Sequence, residues 1–212
     1  MTRAVLVMVV WLGVAMAAGA AGVFHTGPDA PPVALGVAAA GPPLVVVGLL
    51  AWSVSFRDWV RGLDLHLLTM LQSWRIAGFA LLALWGVGEL PAGFALPAGI
   101  GDVIVGITAP AVALVVVGRS RMVFYGWTFF GIADLVNAVT LGVLHSTSPI
   151  GVLADPAVST DVMRDLPVSL IPTFGVPLTL VLHAVSLANA AHSDLFEGTT
   201  VPSGPAVTGA RP

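Results

Sequence analysis

Residues 65–110 read LHLLTMLQSWRIAGFALLALWGVGELPAGFALPAGIGDVIVGITAP, and residues 132–140 read IADLVNAVT. Both stretches are apolar enough to lie in lipid, yet they carry Gln72, Arg75, Asp102, Asp134 and Asn137. A charged side chain in the middle of a bilayer costs about 2.5–3.5 kcal/mol or more unless it is paired or wet. These five residues therefore define a candidate polar core and binding site. Their identity locates a site without naming what it acts on.

Composition agrees with a membrane setting. Of 212 residues, 57% are hydrophobic and 9% charged, which excludes an ordinary soluble domain and predicts a polytopic, all-α membrane protein. A formal net charge of −3, with no basic run longer than the Arg119 and Arg121 pair, argues against a nucleic-acid partner. The absence of Cys removes disulfides, thiolate metal sites and cysteine nucleophiles together.

A spanning helix needs about 20 mostly apolar residues. Working outward from the quoted stretch, six segments meet that length: 3–24, 33–56, 65–88, 96–118, 122–144 and 167–191. They predict a six-helix bundle over 1–197, followed by a disordered tail over 198–212 rich in Gly, Pro, Ser and Thr. Arg3, Arg57, Arg61, Arg119, Arg121 and Arg211 fall on one side of this arrangement. Arg164 falls on the other, with Asp29, Glu89, Asp155, Asp161 and Asp165. The asymmetry predicts both termini in the cytoplasm of a cell whose inner membrane holds the chain. The first segment has Arg3, an apolar run and small residues that also fit a cleaved signal peptide, but its run exceeds a signal core. Gly13, Ala17 and Ala21, spaced four apart, predict the face by which that helix approaches a neighbour.

Depth arithmetic then pairs the charges. Arg75 lies roughly 14 Å into the third segment and Asp134 roughly 18 Å into the fifth, counted from the same side at 1.5 Å per residue. The two are expected to meet near the midplane, flanked by Gln72 and Asn137 three residues away on their own helices. The alternatives are a structural clamp between helices, or an Arg75 that reaches back to the interface. Asp102 follows a Gly- and Pro-rich run and is expected in the first turn of its helix, where the dipole favours a carboxylate. Its alternative is a place in a re-entrant outer element over 89–102.

The histidines sort by expected depth. His25 and His145 fall near the outer ends of their segments, His66 and His192 near the inner ends, and His183 lies deeper. Paired across helices they offer haem or metal ligation as an alternative. No metal-ligand spacing, phosphate-binding loop or nucleophile elbow accompanies them. No cofactor is therefore expected, and catalysis has no assignable residue. Trp52, Trp59, Trp74 and Trp127 are expected at the inner headgroups, Trp59 within a short interfacial segment.

The run Gln72-x-x-Arg75-x-x-Gly78-Phe79, continued by Leu90-Pro91-x-x-Phe94-Ala95-x-Pro97-Ala98-Gly99-x-Gly101-Asp102, resembles a group of uncharacterised bacterial integral-membrane proteins. That resemblance implies a membrane protein and carries no activity with it. From the residues themselves, the leading expectation is binding or transport of a small solute or ion through the polar cluster. A haem-bearing redox subunit, or a structural subunit with a homo-oligomeric or membrane-complex partner, are the alternatives.

Overall fold

A computed structural model describes residues 2–27, 30–155 and 157–196. The expected tail over 198–212, together with Asp29 and Arg211, lies outside the described residues. Within them the chain is helical, with no strand. Helix α1 spans Thr2–Ala20, α2 Val33–Trp52, and α3, a short amphipathic helix, Val54–Arg61. The remaining long helices are α4, Leu65–Gly86; α5, Ala92–Val116; α6, Arg121–Leu144; and α7, Ile171–Ala191. Five of these, α2 and α4 to α7, are long and apolar enough to cross a membrane. This is the architecture of a multi-pass membrane protein.

Local chemistry sets the boundaries. The second segment stops at Trp52 rather than continuing to Phe56, because Ser53 is extended and its hydroxyl accepts from the Phe56 amide to start α3. Arg57 then closes α2 by donating to the Leu50 and Ala51 carbonyls, each at 2.9 Å. Asp64 caps α4, its Oδ1 accepting from the amides of His66 and Leu67. Ser120 does the same for α6 through the Val123 amide. Gly88 and Gly118 take φ of 83° and 80° just beyond α4 and α5, the left-handed conformation that ends a helix without a Cβ penalty.

Two corrections concern the helices around the polar core. Helix α5 begins at Ala92, four residues before the expected start, because Pro91 supplies an extended N-cap and Pro97 is absorbed within the helix. Asp102 consequently lies mid-helix, neither in a first turn nor in a re-entrant loop. Helix α1 docks through Trp11, Ala15 and Gly19 rather than through Gly13 and Ala17, which are exposed. Trp11 meets Phe174 edge-on with ring centroids 5.0 Å apart, and Gly19 lies against Leu166 and Ser169.

The long helices are also locally irregular. Residues Leu71–Gly78 of α4 form a 3-10 helix. The last turn of α5, Val112–Val116, and the first of α7, Ile171–Gly175, are π turns. Pro177 follows the second of these and offers no amide to the Thr173 carbonyl, which accounts for the widened turn there. Apolar clusters fill the space above and below the polar core, one around Leu81, Leu90, Phe94 and Met163, another around Leu65, Val112 and Phe124. Outward-facing valines, leucines and isoleucines on α1, α2, α5 and α6 give the bundle its apolar exterior.

Helices α4 and α5 pack backbone to backbone at Gly106, where an added Cβ would run into the backbone of Ile76, whereas Gly126 on α6 has open space beside it. Gly106→Val is expected to lower the thermal unfolding temperature in detergent by several degrees, and Gly126→Ala to leave it unchanged. Tryptophan fluorescence during a temperature ramp reads both; equal effects at the two positions would show that this contact does not hold the helices together.

Candidate functional site

The 3-10 stretch of α4 explains how the polar side chains come together. A 3-10 helix has three residues per turn, so side chains at i and i+3 eclipse. Gln72, Arg75 and Gly78 therefore stack on one face, and all three are buried while Trp74, Ile76 and Ala77 between them are exposed. The run Gln-x-x-Arg-x-x-Gly is thus a period-three pattern that aims one cation into the bundle.

Arg75 is the hub. Its side chain is 1% exposed, its Nε donates to Asp102 Oδ1 at 2.7 Å, and its Nη2 donates to Asp134 Oδ2 at 2.5 Å. Nη1 donates to the Gly131 carbonyl at 3.2 Å and to His183 Nε2 at 3.3 Å. Four of the five guanidinium N–H groups are thereby used. Because Arg75 can only donate, His183 Nε2 must accept, which makes this imidazole neutral with its proton on Nδ1. The ring of His183 also stands edge-on to Trp127, centroids 5.8 Å apart.

Each of these side chains is opposite a glycine. A Cβ at Gly78 would collide with Asp102, one at Gly101 with Asp134, and one at Gly131 with His183 and Arg75. Four helices meet around the guanidinium because three residues lack side chains where the polar groups cross.

The expected site is therefore partly reassembled. Arg75 and Asp134 meet as their depths predicted. Asp102, expected at a helix end, joins them from α5. His183, which depth alone set apart from the other histidines, joins from α7. Gln72 is buried beside them, with Nε2 donating to the Thr179 carbonyl at 3.3 Å and Oε1 lacking a hydrogen-bond partner among the described residues. Asn137 is exposed on α6, and no hydrogen bond joins it to the cluster among the described residues. Three residues beyond Asp134 on a regular α-helix is a rotation of about 60° away from it, enough to turn it outward.

The other histidines have partners outside the cluster. His25 pairs with Asp165 at 2.7 Å, and His66 lies 3.5 Å from Asp64. His145 and His192 each use Nδ1 toward a carbonyl one turn earlier, Leu141 and Ala188. No group of three or more His, Asp or Glu side chains able to hold a metal ion occurs among the described residues. Trp127, half-buried, donates its indole N–H to Thr108 of α5 at 2.9 Å.

Two cavities adjoin the cluster, and Asp102 lines both. One, of about 90 Å³, runs past Leu81 and Phe94 toward Ser146, Thr160, Asp161 and Arg164. The other, of about 260 Å³, lies between α1, α4 and α7, with Arg75 in its wall. At the far end of the first, Arg164 pairs with Asp161 at 2.7 Å and donates to the Thr26 carbonyl. Sequence reasoning missed that pair, and its i, i+3 spacing was the available signal.

The family model for a domain of unknown function, DUF8737, matches residues 32–191. The chain belongs to the DUF8737 family. The matched stretch contains every residue of the Arg75 cluster and begins after α1. No curated protein and no solved structure matches the chain.

Removing Arg75 strands two buried carboxylates, a loss of about 3–5 kcal/mol for a broken buried pair. Arg75→Leu is expected to lower the unfolding temperature substantially. Adding Asp102→Asn and Asp134→Asn to that variant should recover much of the loss, because the uncompensated charge is gone. A triple variant no more stable than Arg75→Leu alone would mean that packing, rather than charge, sets the cost.

Proposed function

We propose that this protein binds and moves a small solute or ion across the bacterial inner membrane, using the cluster of Arg75, Asp102, Asp134 and His183 as its binding centre. In this reading α1 completes a six-span bundle, and both termini face the cytoplasm. The observation that carries the proposal is the pairing of one guanidinium with two carboxylates. A clamp between helices would be complete with one carboxylate. The second leaves the cluster one negative charge in excess while both are ionised, and burial makes that charge costly. A proton or a bound monovalent cation removes the cost, so occupancy of the site is coupled to charge.

The role of Arg75 follows from its partners. Four of its five N–H groups are engaged by protein and two carboxylates flank it, so an anionic solute would meet those carboxylates before a free donor. Arg75 acts instead as the fixed counter-charge that holds Asp102 and Asp134 in place, and the carboxylates exchange the cation or proton. Asp102, at 16% side-chain exposure against 8% for Asp134, is the more accessible of the two and lies on both cavities.

Proteoliposomes adsorbed on a solid-supported membrane provide the test. Concentration jumps of inorganic cations, organic amines, carboxylates and sugars, with and without a pH gradient, are expected to give a charge-carrying current for at least one class. Asp102→Asn and Asp134→Asn should each abolish it. A folded Arg75→Leu variant that keeps the wild-type current, or a wild-type protein silent to every class, would end this reading.

A further inference from the structure

The larger cavity beside Asp102 has a chemistry of its own. It measures about 260 Å³, near the lower edge of the ~300–1,000 Å³ of small-molecule sites. Its walls are almost wholly apolar, with Leu12 from α1, Leu81 from α4, Leu135 from α6 and Phe174 from α7. Trp74 and Phe174 contribute aromatic rings, and Trp74 is held in place against Gly175 by the π turn. The charged groups in the wall are Arg75 and Asp102, and the first already donates to two carboxylates. Asp102 uses Oδ1 for Arg75, and its Oδ2 has no hydrogen-bond partner among the described residues.

From these features we infer that the cavity binds an amphipathic monovalent organic cation, a small amine or quaternary ammonium with an apolar body. The inference rests on the cluster being a solute-binding centre and specifies the solute. A hydrated inorganic ion or a sugar would lose its water to walls that return few hydrogen bonds. A neutral apolar molecule would leave the excess negative charge uncompensated. An anion would face a carboxylate. A cation with an apolar body satisfies each wall: its charge lies by Asp102, its body against the leucines, and the faces of Trp74 and Phe174 favour positive charge over neutral bulk. Helix α1 contributes Leu12 to the wall of this cavity, and Trp11 packs on Phe174, another wall residue.

The test compares matched molecules on the full-length protein in lipid nanodiscs. Tritiated benzyltrimethylammonium is the probe; its neutral isostere neopentylbenzene and the anion phenylacetate are competitors. The cation is expected to bind saturably, with neither competitor displacing it at tenfold higher concentration. Asp102→Asn should weaken binding at least tenfold. Phe174→Leu, which leaves the ion network untouched, should weaken it several-fold and keeps the inference testable if Asp102→Asn does not fold. Displacement by neopentylbenzene, binding unaffected by both substitutions, or no saturable binding would overturn the inference. Because the readout is binding, the two readings fail separately. Saturable cation binding without any current would remove transport and leave the site, whereas currents from another solute class without cation binding would remove only this ligand assignment.

Discussion

The polar centre of this bundle depends on the satisfaction of one buried cation. Arg75 cannot shed its proton, so a guanidinium inside an apolar bundle must find acceptors or prevent folding. It finds them on three other helices: Asp102 on α5, Asp134 and the Gly131 carbonyl on α6, and His183 on α7. The network is thus a tertiary constraint as well as a site. In lipid, where apolar contact between helices gains little over contact with acyl chains, close packing and interhelical hydrogen bonds must specify the arrangement. Here both are supplied at one level of the bundle, by the guanidinium and by the glycines opposite its partners.

Two Trp residues each precede a Gly by four positions, Trp74 with Gly78 and Trp127 with Gly131, and they illustrate how such a level is built. Gly78 makes room for Asp102, and Gly131 makes room for His183 and Arg75. Trp74 and Trp127, one turn earlier on their helices, flank the same centre. Trp74 forms a wall of the larger cavity, and Trp127 is tied to Thr108 and stands against His183. A bulky residue beside a missing one leaves a notch with a stiff edge, which fixes both the depth of the polar side chain and the angle at which the next helix passes.

Departures from regular α geometry concentrate around that centre. The 3-10 stretch of α4 aligns Gln72, Arg75 and Gly78, and the π turn of α7 presents Phe174 and Gly175 to the larger cavity. Irregular turns of this kind give up hydrogen-bond geometry and recur at functional positions. Both lie on helices that wall the larger cavity, beside the charged cluster.

Much of this was legible in residue order. Apolar runs of spanning length, polar residues that lipid would reject and the inward registers of Arg75 and Asp134 follow from composition and rise per residue, because those quantities are properties of single helices. Helix ends were less so: Pro97 marked a boundary by its missing amide, yet α5 continues through it from Ala92, which moves Asp102 from an end to the middle. What the tertiary structure alone decided is which faces meet. Asn137 turns outward and His183 inward, although both lie at depths that permitted contact, because rotation about a helix axis is set by neighbouring helices. The 3-10 winding of 71–78 has the same origin: period-three spacing allows it, and only the requirement that Gln72, Arg75 and Gly78 all face α5 and α7 makes the tighter turn the better one.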